Sequence, residues 1–333
     1  MGIFIVTQSI DEKDSVLSFF LDWVNEFARH TNVIVVANKV GSHHLPKHVQ
    51  VFSLGGEQNS WRITKVMRLQ YLFLRHRRDI SRIFFHMCPE YVVSLHILPK
   101  ILRKRSILWY VHKRISIYLR AAHLLVNRIV TATESSCNLS SRKILVCGHG
   151  INTERFSPGT LPKTNTLEIV LVGRISPVKR YELLLPVAVA LRSKNRHFHM
   201  RIAGPIAAQD VDYYNNLQQT IKNDHLSEYI EFVGVIPHEK LPMFYHSSHA
   251  LISFTPTGSF DKVILEAMSS GLHVYCTNVS LEGILNEGYI KEGTTNTLAQ
   301  LLAEVPLEHN YRNRNYIVQY HNLHELIKRL LSA

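Results

Sequence analysis

Short apolar runs recur along the chain, separated by segments of helical period. In the first half, Ile3–Val6, Val33–Ala37, Val49–Ser53, Ile83–Phe85, Ile107–Tyr110, Arg128–Thr131 and Lys143–Cys147 read as strands. Glu168–Val172, His199–Ala203, Ile230–Val233, Ala250–Phe254 and His273–Cys276 do so in the second. Helical patterns fill several gaps, at Asp14–Ala28, Arg62–Arg75 and Ile115–Leu125, and His321–Leu331 reads as a terminal helix. Ile169–Val172 is apolar without a break, the pattern of a parallel strand covered on both faces. This alternation predicts an α/β fold of two doubly wound parallel sheets, each Rossmann-like. Phe156–Pro162 is rich in chain breakers and marks the linker. The predicted layout is a first domain over 1–155, a linker over 156–165 and a second domain over 166–315. A terminal helix over 316–333 would pack back on the first domain. Two such sheets facing a cleft would take a ligand beyond the carboxyl ends of their strands.

At 333 residues the chain is long for a single core, which supports the division into two. Charge then separates the halves. Residues 1–150 hold 21 Lys/Arg against 9 Asp/Glu, so the whole net charge of +12 falls there. Between 62 and 128 the balance is 15 basic residues to 2 acidic ones, Asp79 and Glu90. A basic half can follow nucleic-acid phosphates, form a solvated face, or meet an anionic membrane. Its aromatics sit at apolar spacings rather than as a stacking platform, so no nucleic acid is expected. Along Trp61–Arg75 the cations Arg62, Lys65 and Arg68 share one side, the form of a helix that docks on acidic lipid. No apolar run approaches the ~20 residues of a membrane span. Met1–Val6 enters a strand directly and lacks signal-peptide character. A cytoplasmic protein, peripheral at the cytoplasmic membrane face, is expected. The scattered Cys88, Cys137, Cys147 and Cys276 suggest a reducing compartment.

The densest chemistry lies at Glu168–Lys179. An apolar run ends at Gly173, Arg174 follows at once, and Lys179 comes five residues later. A helix beginning near Pro177 would aim its free N–H groups at the same spot. Two cations at a glycine bend favour a ligand with several anionic oxygens, and a diphosphate fits. Downstream, Thr255–Ser259 is a small polar turn, and Glu266 follows in the next helix, where a carboxylate can accept both hydroxyls of a ribose. Asp210 and Asp212 imitate a metal-binding acidic pair, but they fall at a helix start, where acidic residues complement the dipole. The histidines offer no pair at metal-ligand spacing beside a carboxylate, so no metal is assigned.

These residues in this order resemble the family-4 retaining glycosyltransferases of GT-B architecture. The matching positions are Val172-Gly173-Arg174 with Lys179, Ile202-Ala203-Gly204-Pro205, Phe232-Val233-Gly234-Val235 with Leu241 and Tyr245, and Leu265-Glu266-Ala267-Met268 with Gly271. Gly148–Asn152 through Pro158 looks like the family's interdomain entry, while His86–Tyr91 and Trp109–Lys113 look like its acceptor-side loops. The resemblance implies a metal-independent hexosyltransferase with no cofactor, acting on a UDP- or GDP-linked donor. Its acceptor would be a glycan or a polyprenyl-linked one. It implies that Arg174 and Lys179 hold the diphosphate, that Glu266 binds the ribose, that Ile236 borders the base, and that His112 touches the transferred sugar. His86 and Glu90 fall on the acceptor side. The family's first of two glutamates is replaced by Gly258, so Gly173, Gly258, Ser259, Asp261 and Lys262 complete the expected donor site. Its glycine-rich loop after the first strand is replaced by Thr7–Asp14. Alternatives are a GT-B nucleotide-sugar epimerase and a basic nucleic-acid-binding or degenerate non-catalytic scaffold.

Overall fold

The computed structural model describes residues 2–14, 16–256, 261–285, 288–291 and 295–332. It divides into two compact units, Met1–Asn152 with Tyr320–Ala333, and Thr153–Gln319. Among the described residues each unit is built on one parallel sheet, of seven strands in the first and five in the second.

In the first unit the strands are β1 (Gly2–Ile10), β2 (Val33–Val40), β3 (Gln50–Ser53), β4 (Ile80–His86), β5 (Arg105–Trp109), β6 (Arg128–Thr131) and β7 (Ile144–Val146). Their order is β3-β2-β1-β4-β5-β6-β7, so the direction of winding reverses between β1 and β4. The uninterrupted apolar run of β1 has a simple cause. Ile3 and Ile5 enter the core on one face, and Phe4 and Val6 enter the core on the other. The first face is covered by α1 (Phe20–His30) and by the terminal helix Leu323–Ser332. The second is covered by α2 (Arg62–Arg75), α3 (Pro89–Leu95) and α5 (Ile117–Leu125), with the short α4 (Leu98–Ile101) between the last two.

The terminal helix joins the unit through backbone and side chains. Leu323 N–H donates to Ile151 O at 2.8 Å, and Ile151 N–H donates to His321 O at 2.6 Å. Buried Glu26 shares its Oε1 between His324 Nδ1 at 2.6 Å and His30 Nε2 at 3.0 Å, while Arg29 donates to Oε2 at 2.9 Å. These three groups, Glu26, His30 and His324, are metal-type donors in one place, and their atoms already satisfy one another by hydrogen bonds. Sequence spacing gives no hint of the set, because His324 comes from the far end of the chain.

α2 also carries an apolar stripe away from the sheet. Leu69, Leu72 and Phe73 bind it to the sheet. At 100° per residue the stripe opposite them is Ile63, Met67 and Tyr71, and all three are exposed. Arg62 and Arg68 are exposed and Lys65 is half-buried, beside this stripe. Core packing decides the rotation of a helix, and three large apolar side chains outweigh any preference among solvated cations.

The second unit has β8 (Leu167–Val172), β9 (Phe198–Ala203), β10 (Ile230–Gly234), β11 (Ala250–Ser253) and β12 (His273–Cys276) in the order β10-β9-β8-β11-β12. Here the winding reverses between β8 and β11. The helix after β8 does not start near Pro177. Two 3₁₀ turns, Pro177–Lys179 and Tyr181–Leu183, come first, with Arg180 left-handed between them at φ 50°, and α6 runs from Leu184 to Ser193. Pro186 explains the late start. In a helix begun at Pro177 its ring would strike the carbonyl of Glu182, whereas in α6 it sits in the first turn, where no N–H is needed. Further on are α7 (Val211–Asn223), α8 (Leu241–His246) and α9 (Lys262–Ser269). Asp210 is the N-cap residue of α7 and Asp212 lies in its first turn, as their reading as helix-start acids requires.

Candidate functional site

The carboxyl ends of β8 and β11 flank the point where the second sheet reverses its winding, the place where open α/β sheets bind ligands. Gly173 follows β8 with φ +146°, and Gly204 follows β9 with φ +157°. A Cβ on Gly204 would lie 1.9 Å from Gly173 O, so the two bends touch backbone to backbone. Lys179 folds back over this bend. Its Cε would lie 3.0 Å, and its Nζ 3.4 Å, from a Cβ on Gly173. Its ammonium donates to Asp261 Oδ2 at 2.5 Å, joining residues 82 positions apart. Asp261 is the N-cap residue of α9, which brings that carboxylate from the β11 side to the β8 side. Arg174 is exposed and has no ion pair or hydrogen-bond partner among the described residues.

Two tyrosines fix this arrangement. Tyr181 OH donates to Gly173 O at 3.0 Å, and Tyr181 N–H donates to Tyr213 OH at 2.8 Å. Burial raises the Tyr181 phenol well above its ordinary range, helped by Asp261 and Tyr213, so it stays a neutral donor. Tyr245 is fully buried and is likewise held neutral, first by burial and then by Glu266 and Asp261. The late start of α6 moves its N–H groups away from Lys179. The cations at this bend are therefore Arg174 and Lys179, without the N-terminus of α6 beside them.

Glu266 is buried in α9, and its Oε1 hydrogen-bonds His238 Nε2 at 3.0 Å. His238 opens the 3₁₀ turn after β10, and its ring lies edge-on to Phe156 at 5.4 Å between centroids. The sequence reading missed His238, since nothing local marks a histidine 28 residues ahead of its carboxylate. Ile236, two residues before His238, is half-buried, and Lys262 opens α9 half-buried beside Asp261. Gly258 and Ser259 lie outside the described residues.

The residues expected on the acceptor side belong to the first unit. His86 ends β4 at that sheet's own reversal point and is buried. Its Nδ1 shares a 3.1 Å hydrogen bond with Thr7 Oγ1, and its ring stacks on Phe20 at 4.0 Å. Nearby, Gln8 donates to Cys88 Sγ at 3.0 Å and accepts from Tyr91 OH at 3.2 Å. Burial pushes the Cys88 thiol up to about 11, so it carries no thiolate at neutral pH. Glu90 is exposed in the first turn of α3. His112 is exposed after β5, and its Nδ1 accepts from Arg114 N–H at 3.0 Å.

Residues 152–316 match the model of the family described as glycosyl transferases group 1. The phosphatidylinositol N-acetylglucosaminyltransferase GPI3 subunit of Saccharomyces cerevisiae is 26% identical over 148 residues, 42% of this chain and 32% of that protein. D-inositol 3-phosphate glycosyltransferase of Corynebacterium urealyticum is 23% identical over 197 residues, 53% of this chain and 46% of that protein. The chain thus spans a third to a half of the length of these relatives. Among solved structures, Anabaena Alr3699/HepE in complex with UDP superposes with a TM-score of 0.76 at 16% identity, covering 100% of this chain and 99% of that one. The described strand orders and this likeness give the fold as GT-B, and residues 152–316 are similar to glycosyl transferases group 1.

Proposed function

We propose that the chain transfers a hexose from a nucleoside-diphosphate sugar, UDP- or GDP-linked, to a glycan or lipid-linked glycan, with retention at the anomeric carbon. The observation that carries this reading is the Lys179–Asp261 pair folded over the Gly173 bend at the reversal point of the second sheet. Arg174 and Lys179 would receive the two phosphates of the donor. Glu266, held in orientation by His238, would take the ribose hydroxyls, and Ile236 would border the base. Gly173, Asp261 and Lys262, with Gly258 and Ser259, would complete the donor site. His112, His86 and Glu90 would serve the acceptor side. The relatives support the substrate class by their names, which are those of an N-acetylglucosaminyltransferase component and an inositol phosphate glycosyltransferase.

The chemistry follows from charge. Breaking the bond between the anomeric carbon and the phosphate oxygen leaves negative charge on the diphosphate, and fixed cations stabilise that charge as it develops. The incoming hydroxyl gives its proton to the departing phosphate oxygen on the same face, so configuration is kept and no protein nucleophile is required. Metal independence follows if the two cations suffice, and unchanged turnover in EDTA is the expected result.

Thermal unfolding with nucleotides tests the reading. UDP or GDP should raise the melting temperature of the second unit, and R174A/K179A should abolish the rise. A donor panel with NMR of the product's anomeric proton then identifies the sugar and the stereochemistry. Failure of every nucleoside diphosphate to stabilise the chain would refute the donor site.

A further inference from the structure

The two helical layers of the first unit differ sharply on their outer sides. Neither α1 nor the terminal helix exposes a large apolar side chain. The layer of α2 to α5 exposes many. Ile63, Met67 and Tyr71 are 72%, 64% and 59% exposed on the outward stripe of α2, and Trp61, just before the helix, is 82% exposed. On α5 the outward stripe holds Ile117 and Leu124, 79% and 67% exposed, with Arg120 between them. Ile101 ends α4 at 65% exposed. The helices adjoin one another, since α3 packs against both α2 and α5. Isolated exposed apolar residues are ordinary, but a concentration on one layer marks a contact surface.

We infer that this layer is a membrane-docking face, with Trp61, Ile63, Met67, Tyr71, Ile117 and Leu124 entering the headgroup and acyl boundary of an anionic bilayer. Charge selects the occupant. The stretch 62–128 that carries most of these side chains has 15 basic residues and only 2 acidic ones, and Arg68, Arg75, Lys100, Arg103 and Arg120 are exposed within it, Arg103 and Lys100 at the end of α4. Cations beside protruding aliphatic and aromatic side chains suit acidic lipid, where the charges reach phosphate and the apolar groups leave water. Tryptophan and tyrosine favour the interface itself, having an apolar body and a polar tip. A nucleic acid would use the cations and leave the aliphatic side chains in water. Docking by insertion adds apolar contact to the basic helix expected from the sequence. The apolar stripe points outward, and the cations flank it.

This inference stands apart from the donor site, because vesicle binding requires no sugar nucleotide. The full chain is to be mixed with phosphatidylcholine vesicles with and without phosphatidylglycerol, at low and high salt. Trp23 and Trp109 are buried, so a change in tryptophan emission on docking reports Trp61. Co-sedimentation with the anionic vesicles and a blue shift are expected. W61F should lose the shift, and I63S/M67S/Y71S should lose the sedimentation. The triple variant should lose on the order of a hundredfold in partitioning. Its targets are exposed, so an unchanged melting curve certifies its fold. Three outcomes overturn the proposal: no vesicle binding, which would leave a protein as the occupant; binding by salt-sensitive charge alone, with no emission change; or capture by duplex DNA in preference to vesicles.

Discussion

Alanine at position 204 should damage the second unit more than alanine at Gly234, a glycine of the same sheet that also has positive φ. The cost follows from two distances. A Cβ on Gly204 would lie 1.9 Å from Gly173 O and 2.6 Å from Gly173 C, both backbone atoms that no rotamer change can move. Relief requires the exits of β8 and β9 to separate by more than 1 Å, going by ordinary contact distances of ~3.3 Å. That movement strains the bonds from Gly173 N–H to Ala203 O at 2.9 Å and from Gly204 N–H to Gly234 O at 2.8 Å. Overpacking costs about 1–3 kcal/mol. The φ of +157°, which side chains rarely adopt, adds about 1–2 kcal/mol. At about 2–4 °C per kcal/mol for a unit of this size, the melting temperature should fall by roughly 5 to 15 °C. G234A is the control. Gly234 has φ +74° but nothing within 4 Å of its added Cβ, so only the backbone cost of about 1 kcal/mol remains. Calorimetry or circular dichroism on both variants gives the comparison. Equal melting temperatures for G204A and G234A would refute the reasoning, because steric contact between the bends would then carry no energy. The same displacement should loosen nucleoside-diphosphate binding, since Gly173 O anchors Tyr181 OH.

D261N removes the carboxylate that neutralises Lys179, so nucleoside-diphosphate affinity should tighten several-fold while turnover falls; isothermal titration beside a transfer assay separates the two. H238A frees Glu266 from its 3.0 Å partner, and KM for the donor should rise about tenfold with little change in kcat, as expected when uniform binding is lost. Burial holds His321 at about 4, below its ordinary 6.5, and its Nδ1 accepts from His149 N–H at 3.1 Å. The unfolded chain therefore takes up that proton first. The stabilisation is complete above pH 6.5 and is lost as pH falls toward 4, on the order of 3 kcal/mol in all. H321Q should flatten that slope in urea-unfolding midpoints measured across the interval.

The alternation of apolar runs with helical segments settles much of this protein without any structure. Parallel strands buried on both faces need continuous apolar residues, and such runs survive as a signal because no polar residue can interrupt them. The bend at Gly173 and the cation that follows it are also local, written in consecutive residues, and Glu266 is legible within its own helix. What the chain order alone does not settle is pairing and rotation. Lys179 meets Asp261 across 82 positions, and His238 meets Glu266 across 28, because two strand ends converge where the sheet changes direction. The helix expected from Pro177 starts instead at Leu184, as Pro186 requires, and the turns that precede it depend on Tyr213, a residue 32 positions beyond Tyr181. The outward face of α2 is the plainest case. Its period shows apolar residues on two opposite sides, and only the demand of the sheet for Leu69, Leu72 and Phe73 decides which side is left to the surroundings.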